Sequence, residues 1–430
     1  MASISSIFKL RRHTGVQAAA IYTFSNFFNK GVSFLLLFYF AQVLTESDFG
    51  LLNLFSNSML FLMPFVSMGI LQSANTEFFK LPKKDFRNFF TSTLLMPAAV
   101  SLLAMVVLFV FKDTIQQRYP FKTIFILLVP LITFFSFLNE HLINIVRNNQ
   151  EPFKYLRINF GRLLAEITLA VFFISIFNCG WMGRVMAIFI SFLFIAAYAV
   201  FYFYEQGYIF GSISKKYLRA EILYSVPIIV LQISTFCMSA SGGYFIEFFT
   251  HDFSAVGVYS VAVTFGSVIL VLCTALLQYV YPKVYGILSE KEVNYAAIRK
   301  IFLFYTGTML LGTAAVMLAT PLAYSFLLKP SYSPGIRYFY LICLGNLFWS
   351  ISYFFYSFML YHKQKRKILT VSLLSIFISF TTNYFFTKQG GSFGAAAAVC
   401  FSYFAVLIIT TGFVFNYIST IFNLKIIKSA

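Results

Sequence analysis

The stretch Leu44-Thr45-Glu46-Ser47-Asp48-Phe49-Gly50 ends one long apolar segment and opens another. In the second half of the chain Phe249-Thr250-His251-Asp252-Phe253-Ser254-Ala255-Val256-Gly257 does the same. Gly50 and Gly257 lie 207 residues apart, and Gln72 and Gln278, late in the segments they open, lie 206 apart. A second pair of turns repeats at nearly that distance. Asn178-Cys179-Gly180-Trp181-Met182-Gly183 and Gln389-Gly390-Gly391-Ser392-Phe393-Gly394 share a G-x-x-G pair offset by 211. Glycine suits such a turn because it accepts positive φ and lets helix ends approach closely. Recurrence of several markers at a common offset is the signature of an internal duplication.

Between these turns the sequence is apolar in runs of bilayer length, about 20 residues at 1.5 Å rise for a hydrocarbon core of roughly 30 Å. The expected spans are 16–43, 49–74, 89–111, 122–146, 158–177, 183–204, 221–246, 254–281, 299–327, 335–361, 368–387 and 393–420. They predict an all-α membrane protein of about 12 transmembrane helices in two parallel six-helix repeats. The longest loop, from about Glu205 to Ala220, places the six-helix bundles at 1–210 and 211–430. Equal sidedness of the repeats puts a pseudo-two-fold axis along the membrane normal.

Composition agrees. Hydrophobic residues make up 60% of the chain and charged ones 11%, against about 25% charged in soluble domains. The 58 Phe residues add bulk to lipid-facing surface and name no ligand. The net charge of +18 is explained by its placement. With the N-terminus taken as cytoplasmic, 24 of the 32 Lys and Arg fall in or beside inside loops and seven outside, Lys30 lying within the first span. The positive-inside rule then puts both termini in the cytoplasm, and the basic charge is topology, with no nucleic-acid partner. The five cysteines, Cys179, Cys237, Cys273, Cys343 and Cys400, form neither a disulfide framework nor a metal-ligand cluster. The first span is far longer than a signal-peptide apolar region and is read as retained.

The helix 1–2 turn Leu44-Thr45-x-x-Asp48-Phe49-Gly50-Leu51-Leu52 and the last hairpin, Asn383-Tyr384 followed by Gly390-Gly391-Ser392-Phe393-Gly394-Ala395-Ala396, resemble those of the oligosaccharide flippases. The turn Arg147-Asn148-Asn149-Gln150-Glu151-x-Phe153-x-Tyr155 adds to the likeness. This is the Wzx-like branch of the multidrug/oligosaccharidyl-lipid/polysaccharide exporter superfamily. The resemblance implies two six-helix bundles around a central cavity that opens alternately to each side. It also implies transport of an undecaprenyl-pyrophosphate-type lipid-linked oligosaccharide, a precursor of O-antigen, capsule or exopolysaccharide. Transport would run from the cytoplasmic to the periplasmic leaflet of a bacterial inner membrane, with no bound cofactor. A proton or sodium gradient is the implied drive, and polymerase and chain-length proteins of the same pathway are the implied partners.

Ionisable groups inside spans cost roughly 2.5–3.5 kcal/mol or more at a helix centre and therefore mark candidate sites. Lys30 lies mid-span on one face with Thr23, Asn26 and Ser33. An ammonium there would attract a pyrophosphate in a wet cavity; the structural alternative is a buried pair with a carboxylate. Glu166 shares a face with Asn159 and Arg162. Either Arg162 and Glu166 form a plain i,i+4 ion pair, or Glu166 carries a proton within the cavity. On helix 4, Glu140, Asn144 and Arg147 share a face with His141 beside it. They form either a cytoplasmic gate, with Glu140 and His141 as further proton carriers, or a solvated helix end. Lys30, Glu140, Arg162 and Glu166 all belong to the first six helices.

Two other functions compete. A drug or metabolite exporter of the multidrug branch would want an aromatic pocket, against which Lys30 and Arg162 argue. A membrane glycosyltransferase, polymerase or ligase would need an acid/base or nucleophile constellation, usually on a sizeable surface loop. The longest loop has about sixteen residues and no paired-carboxylate motif. The expectation is a transporter with no catalytic residues.

Overall fold

The computed structural model describes residues 21, 22, 24, 25, 28–32 and 34–422. All regular structure among them is helical. In chain order the elements are α1 Phe28–Val43, α2 Glu46–Ser67, α3 Ile70–Lys80, α4 Lys83–Val110 and α5 Lys112–Arg118. Next come α6 Thr123–Asn148, α7 Pro152–Val171 with a π turn at Phe172–Ile176, α8 Gly180–Glu205, α9 Lys215–Ser239 and α10 Gly242–Thr250. The described residues finish with α11 Phe253–Leu288, α12 Tyr295–Leu327, α13 Gly335–Tyr361, α14 Lys365–Phe413 and α15 Phe415–Phe422.

Ten helices among the described residues are long and apolar enough to cross a membrane, with α2 and α3 counted as one span, Glu46–Lys80. The expected twelve differ in two places. The first expected span, 16–43, is described only as the shorter α1, since much of it lies outside the described residues. The expected 221–246 breaks after Ser239 and resumes as α10. The expected 368–387 and 393–420 are found as two helical arms of Lys365–Phe413, labelled α14 together, which meet at Gly391 where φ is 54° and ψ −133°. The turn glycines reverse the chain within a few residues, and the arms pack on each other: Thr382 Oγ1 lies 2.7 Å from Ser402 Oγ, and Lys367 Nζ donates to Phe413 O at 3.0 Å.

Burial follows the rule of a protein in lipid. α4 has the most apolar stretch and only 17% of it is buried, whereas α13 has the least apolar and 61% of it is buried. Leu102, Leu103, Val106 and Val110 of α4 are exposed. In water such a patch would be an aggregation site; in a bilayer it is the solvent-facing surface.

The described residues fold as two compact units: those of Met1–Val43 with Phe55–Ile229, and Leu44–Leu54 with those of Val230–Ala430. In the first unit Leu142, Ile145 and Val146 of α6 pack with Phe90 of α4 and Ala199 and Phe203 of α8. The loop before α9 is sewn along the start of α4. Arg87 Nε donates to Ile209 O at 3.0 Å, Gly211 N to Thr91 Oγ1 at 2.9 Å, Ser212 N to Asn88 Oδ1 at 2.7 Å and Ser214 N to Ser92 Oγ at 2.9 Å.

In the second unit Asn346 Nδ2 donates to Gly266 O at 2.9 Å, tying α13 to α11, and Tyr305 OH donates to Ser350 O at 2.7 Å, tying α12 to α13. The repeated glycines meet here. A Cβ on Gly50 would overlap the Phe253 carbonyl, and one on Gly257 would overlap the Glu46 carbonyl. Phe253 and Glu46 each lie four residues before the partner glycine, so the two contacts are two-fold equivalents. Lys329 Nζ, donating to Leu44 O at 2.9 Å, and Ser331 Oγ, donating to the Glu46 carboxylate, fasten the same helix start.

Candidate functional site

The first unit carries an open cavity of about 350 Å³ whose polar lining is Ser56, Thr133, Ser136, Glu140, Arg162 and Glu166, beside Phe192. Helical periodicity builds it. Thr133, Ser136 and Glu140 are i, i+3 and i+7 on α6, and Arg162 and Glu166 are i and i+4 on α7, spacings that place side chains on one face. Glu140, expected at a cytoplasmic gate, therefore lines the same cavity as the α7 pair.

The Glu166 carboxylate divides itself between two arginines. Arg162 Nη1 donates to Oε2 and Arg184 Nη2, from the second turn of α8, donates to Oε1. The three side chains are 16%, 13% and 9% exposed for Arg162, Arg184 and Glu166. Two guanidiniums and one carboxylate leave one excess positive charge. Each guanidinium also rests on an aromatic face, Arg162 over Phe192 at 4.8 Å and Arg184 over Phe40 of α1 at 4.9 Å. Such stacking contributes more as water is excluded. Arg162 Nε and Arg184 Nη1 are buried without a hydrogen-bond partner among the described residues.

The other candidates lie elsewhere. Asn26 is outside the described residues, and Lys30 on α1 is exposed and does not line the cavity. Asn159 is buried, donating to Tyr155 O at 3.1 Å and accepting from Asn29 Nδ2 at 3.4 Å. Those bonds tie α7 to itself and to α1 and leave Asn159 off the cavity. Arg147 Nη2 donates to Asn144 Oδ1 at 2.5 Å, an exposed contact within one helix end. His141 is fully buried, stacked on Phe90 at 4.6 Å and on Phe137 at 5.5 Å, with Phe203 edge-on. Neither ring nitrogen has a partner among the described residues. It belongs to an aromatic core rather than to a gate. Arg184 is the site residue that the linear reading misses, because four residues into α8 it is counted with the turn charges.

A helical protein of bilayer-length spans, with a charged cavity inside one unit, is a multi-pass membrane protein. The chain belongs to the polysaccharide biosynthesis protein family, whose pattern matches residues 16–284. Its fold is shared by solved transporters. An inward-facing multidrug resistance MATE family transporter of the MOP superfamily aligns with a TM-score of 0.71 at 13% identity, covering 90% of this chain and 94% of that one. The lipid II flippase MurJ, in an inward closed conformation, aligns at 0.70 and 14% identity over 94% and 92%. The MATE multidrug transporter DinF-BH aligns at 0.64 and 16% over 97% of each chain. At these identities the likeness shows the fold. No curated protein matches the chain in sequence.

Proposed function

We propose that this protein is a flippase carrying isoprenoid-pyrophosphate-linked oligosaccharide units across a bacterial inner membrane by alternating access, with both termini cytoplasmic. The observation that carries this reading is the Arg162–Glu166–Arg184 cluster beside a cavity, in a chain of the polysaccharide biosynthesis family. Guanidiniums match phosphate oxygens in charge and in fork geometry. A cavity of about 350 Å³ is at the small end of ligand sites. It has room for an anionic headgroup and little more, so the glycan and the lipid tail would extend beyond it. The transport class also fits the solved neighbours, a flippase and multidrug transporters, and no catalytic step is assigned to the chain.

An ion gradient, proton or sodium, is the proposed drive. Glu140 is the favoured coupling group because it lines the cavity and makes no ion pair among the described residues. Glu140→Gln should remove most gradient-driven export, because an amide cannot carry the proton, while leaving membrane abundance unchanged. Export at the wild-type rate would release Glu140 from that role. A polymerase and a chain-length protein of the same pathway would receive the product.

The decisive experiment is deletion of the gene in its host, with labelling of lipid-linked oligosaccharide and surface glycan. Complete repeat units accumulating on the cytoplasmic leaflet, with surface glycan lost, support the flippase. Incomplete units, or complete ones already on the far leaflet, would point to an enzyme. Unchanged glycan would favour the drug-exporter reading.

A further inference from the structure

Glu166 uses both of its oxygens, one on each arginine. Arg162 lies one turn earlier on the same helix, while Arg184 comes from α8. Without an anion between them, two guanidiniums would face each other out of water, an arrangement that the low local dielectric makes costly. The carboxylate therefore keeps the two cations together when nothing else is bound. It does not saturate them: one positive charge is in excess, and Arg162 Nε and Arg184 Nη1 still lack acceptors among the described residues. Beside the pair lies the cavity, with the hydroxyls of Ser56, Thr133 and Ser136 on its wall.

Resting on the flippase reading, we propose that Glu166 is a resident stand-in for the substrate's anion. Its carboxylate holds Arg162 and Arg184 in the arrangement that an incoming diphosphate uses, and the phosphate oxygens displace it on binding. Carboxylate and phosphate oxygens are interchangeable partners for a guanidinium fork. The buried Nε and Nη1 donors gain acceptors only once the exchange has opened the cluster. A carrier that grips its cargo too tightly cannot let it go. An internal competitor keeps the grip weak and restores the arginine pair to its paired state once the cargo leaves. Glu166 is thus a positioning residue that sets substrate release; it does not hold the cargo itself.

The test uses the full chain in lipid nanodiscs, with farnesyl diphosphate as probe and inorganic pyrophosphate as the arm that separates a lipid-linked diphosphate from a free one. Glu166→Gln should bind farnesyl diphosphate about tenfold tighter than wild type, because the unpaired arginines recover their lost partner from the ligand. In cells the same variant should show a lower KM and a lower kcat for export. Glu166→Asp keeps the charge but withdraws it by one methylene, so its affinity should fall between the two. If Glu166→Gln does not fold, Glu166→Asp carries the test. Wild-type binding with equal or weaker binding by the folded variant overturns the stand-in role and leaves the flippase reading in place. If Arg162→Gln/Arg184→Gln binds farnesyl diphosphate as well as wild type, the arginine pair is not the anion site and both fall. Pyrophosphate binding as tightly as farnesyl diphosphate would show a free-phosphate site and overturn the proposal.

Discussion

At the scale of single residues, Arg184 and His141 make opposite predictions. Arg184 shares Glu166 with Arg162 at 13% side-chain exposure. Removing one partner of a buried pair costs about 3–5 kcal/mol, because the charge left behind loses its compensation. Arg184→Ala should therefore lower thermal stability and abolish export, while Arg184→Lys, a point charge without the fork, should retain part of it. Export normalised to membrane abundance is the readout, and full activity in Arg184→Ala would remove it from the site. His141 sits among Phe90, Phe137 and Phe203 with both nitrogens unpartnered among the described residues. An unsatisfied buried polar atom costs about 1–3 kcal/mol. His141→Phe should thus raise the unfolding temperature by several degrees and leave export unchanged; lost export at normal abundance would give the imidazole a transport role. Arg162 with Glu166 is legible in the sequence because i,i+4 spacing on one helix fixes their proximity. The partnership with Arg184 and the caging of His141 are not legible. Both depend on which faces of neighbouring helices meet, and helices apolar all round carry no amphipathic stripe to say so.

At the scale of elements, the repeated turns do the same work in each half, though by different local chemistry. Thr45 caps α2, accepting from Asp48 N at 3.1 Å while its hydroxyl donates to Asp48 Oδ2 at 2.9 Å. At the matching start of α11, Asp252 Oδ1 accepts from Ser254 N at 2.8 Å. Gly180 and Gly391 both take φ of 54°. Gly183 and Gly394, three residues on, both leave little room for a Cβ, against Phe173 in one case and the Phe386 carbonyl in the other. The duplication was therefore legible from glycine spacing, since glycine meets both demands. The reversal within α14 at Gly391 was legible too, because a G-G pair reads as a break and the two arms pack against each other beyond it. The contact of Gly50 with Gly257 yields the prediction at this scale. Gly50→Ala or Gly257→Ala forces a methyl into a backbone carbonyl, and overpacking of this kind costs about 1–3 kcal/mol or more. The two sites form one contact, so the double variant should lose less than the sum of the singles. Thermal unfolding of the four proteins in one detergent decides it; strict additivity would mean that the helices do not meet through these glycines.

At the scale of the whole molecule, the sequence pattern and the burial pattern answer to lipid. The most apolar helix, α4, is among the least buried, and the least apolar, α13, is the most buried. Hydropathy therefore revealed the membrane class at once, while the order of burial needed the packing, because lipid tails and protein cores prefer the same side chains. The distribution of Lys and Arg supplies the one whole-chain property that packing does not contain, its orientation. On the proposed orientation the turn between α7 and α8 would lie outside and the turn between α3 and α4, with Lys83 and Lys84, inside. Cys179 stands at the first of these turns and is exposed, whereas Cys237 and Cys400 are half-buried and Cys273 and Cys343 buried. A membrane-impermeant maleimide added to intact cells with a permeabilised outer envelope should therefore label the wild-type protein, and Cys179→Ser should abolish most of that signal. In the Cys179→Ser background, Lys83→Cys should label only after the inner membrane is opened. Charge, rather than apolarity, sets the sidedness, so the reverse pattern would place both termini outside. It would also exchange the helix ends by which the cargo enters and leaves, because the cytoplasmic leaflet would then face the other ends of the same helices.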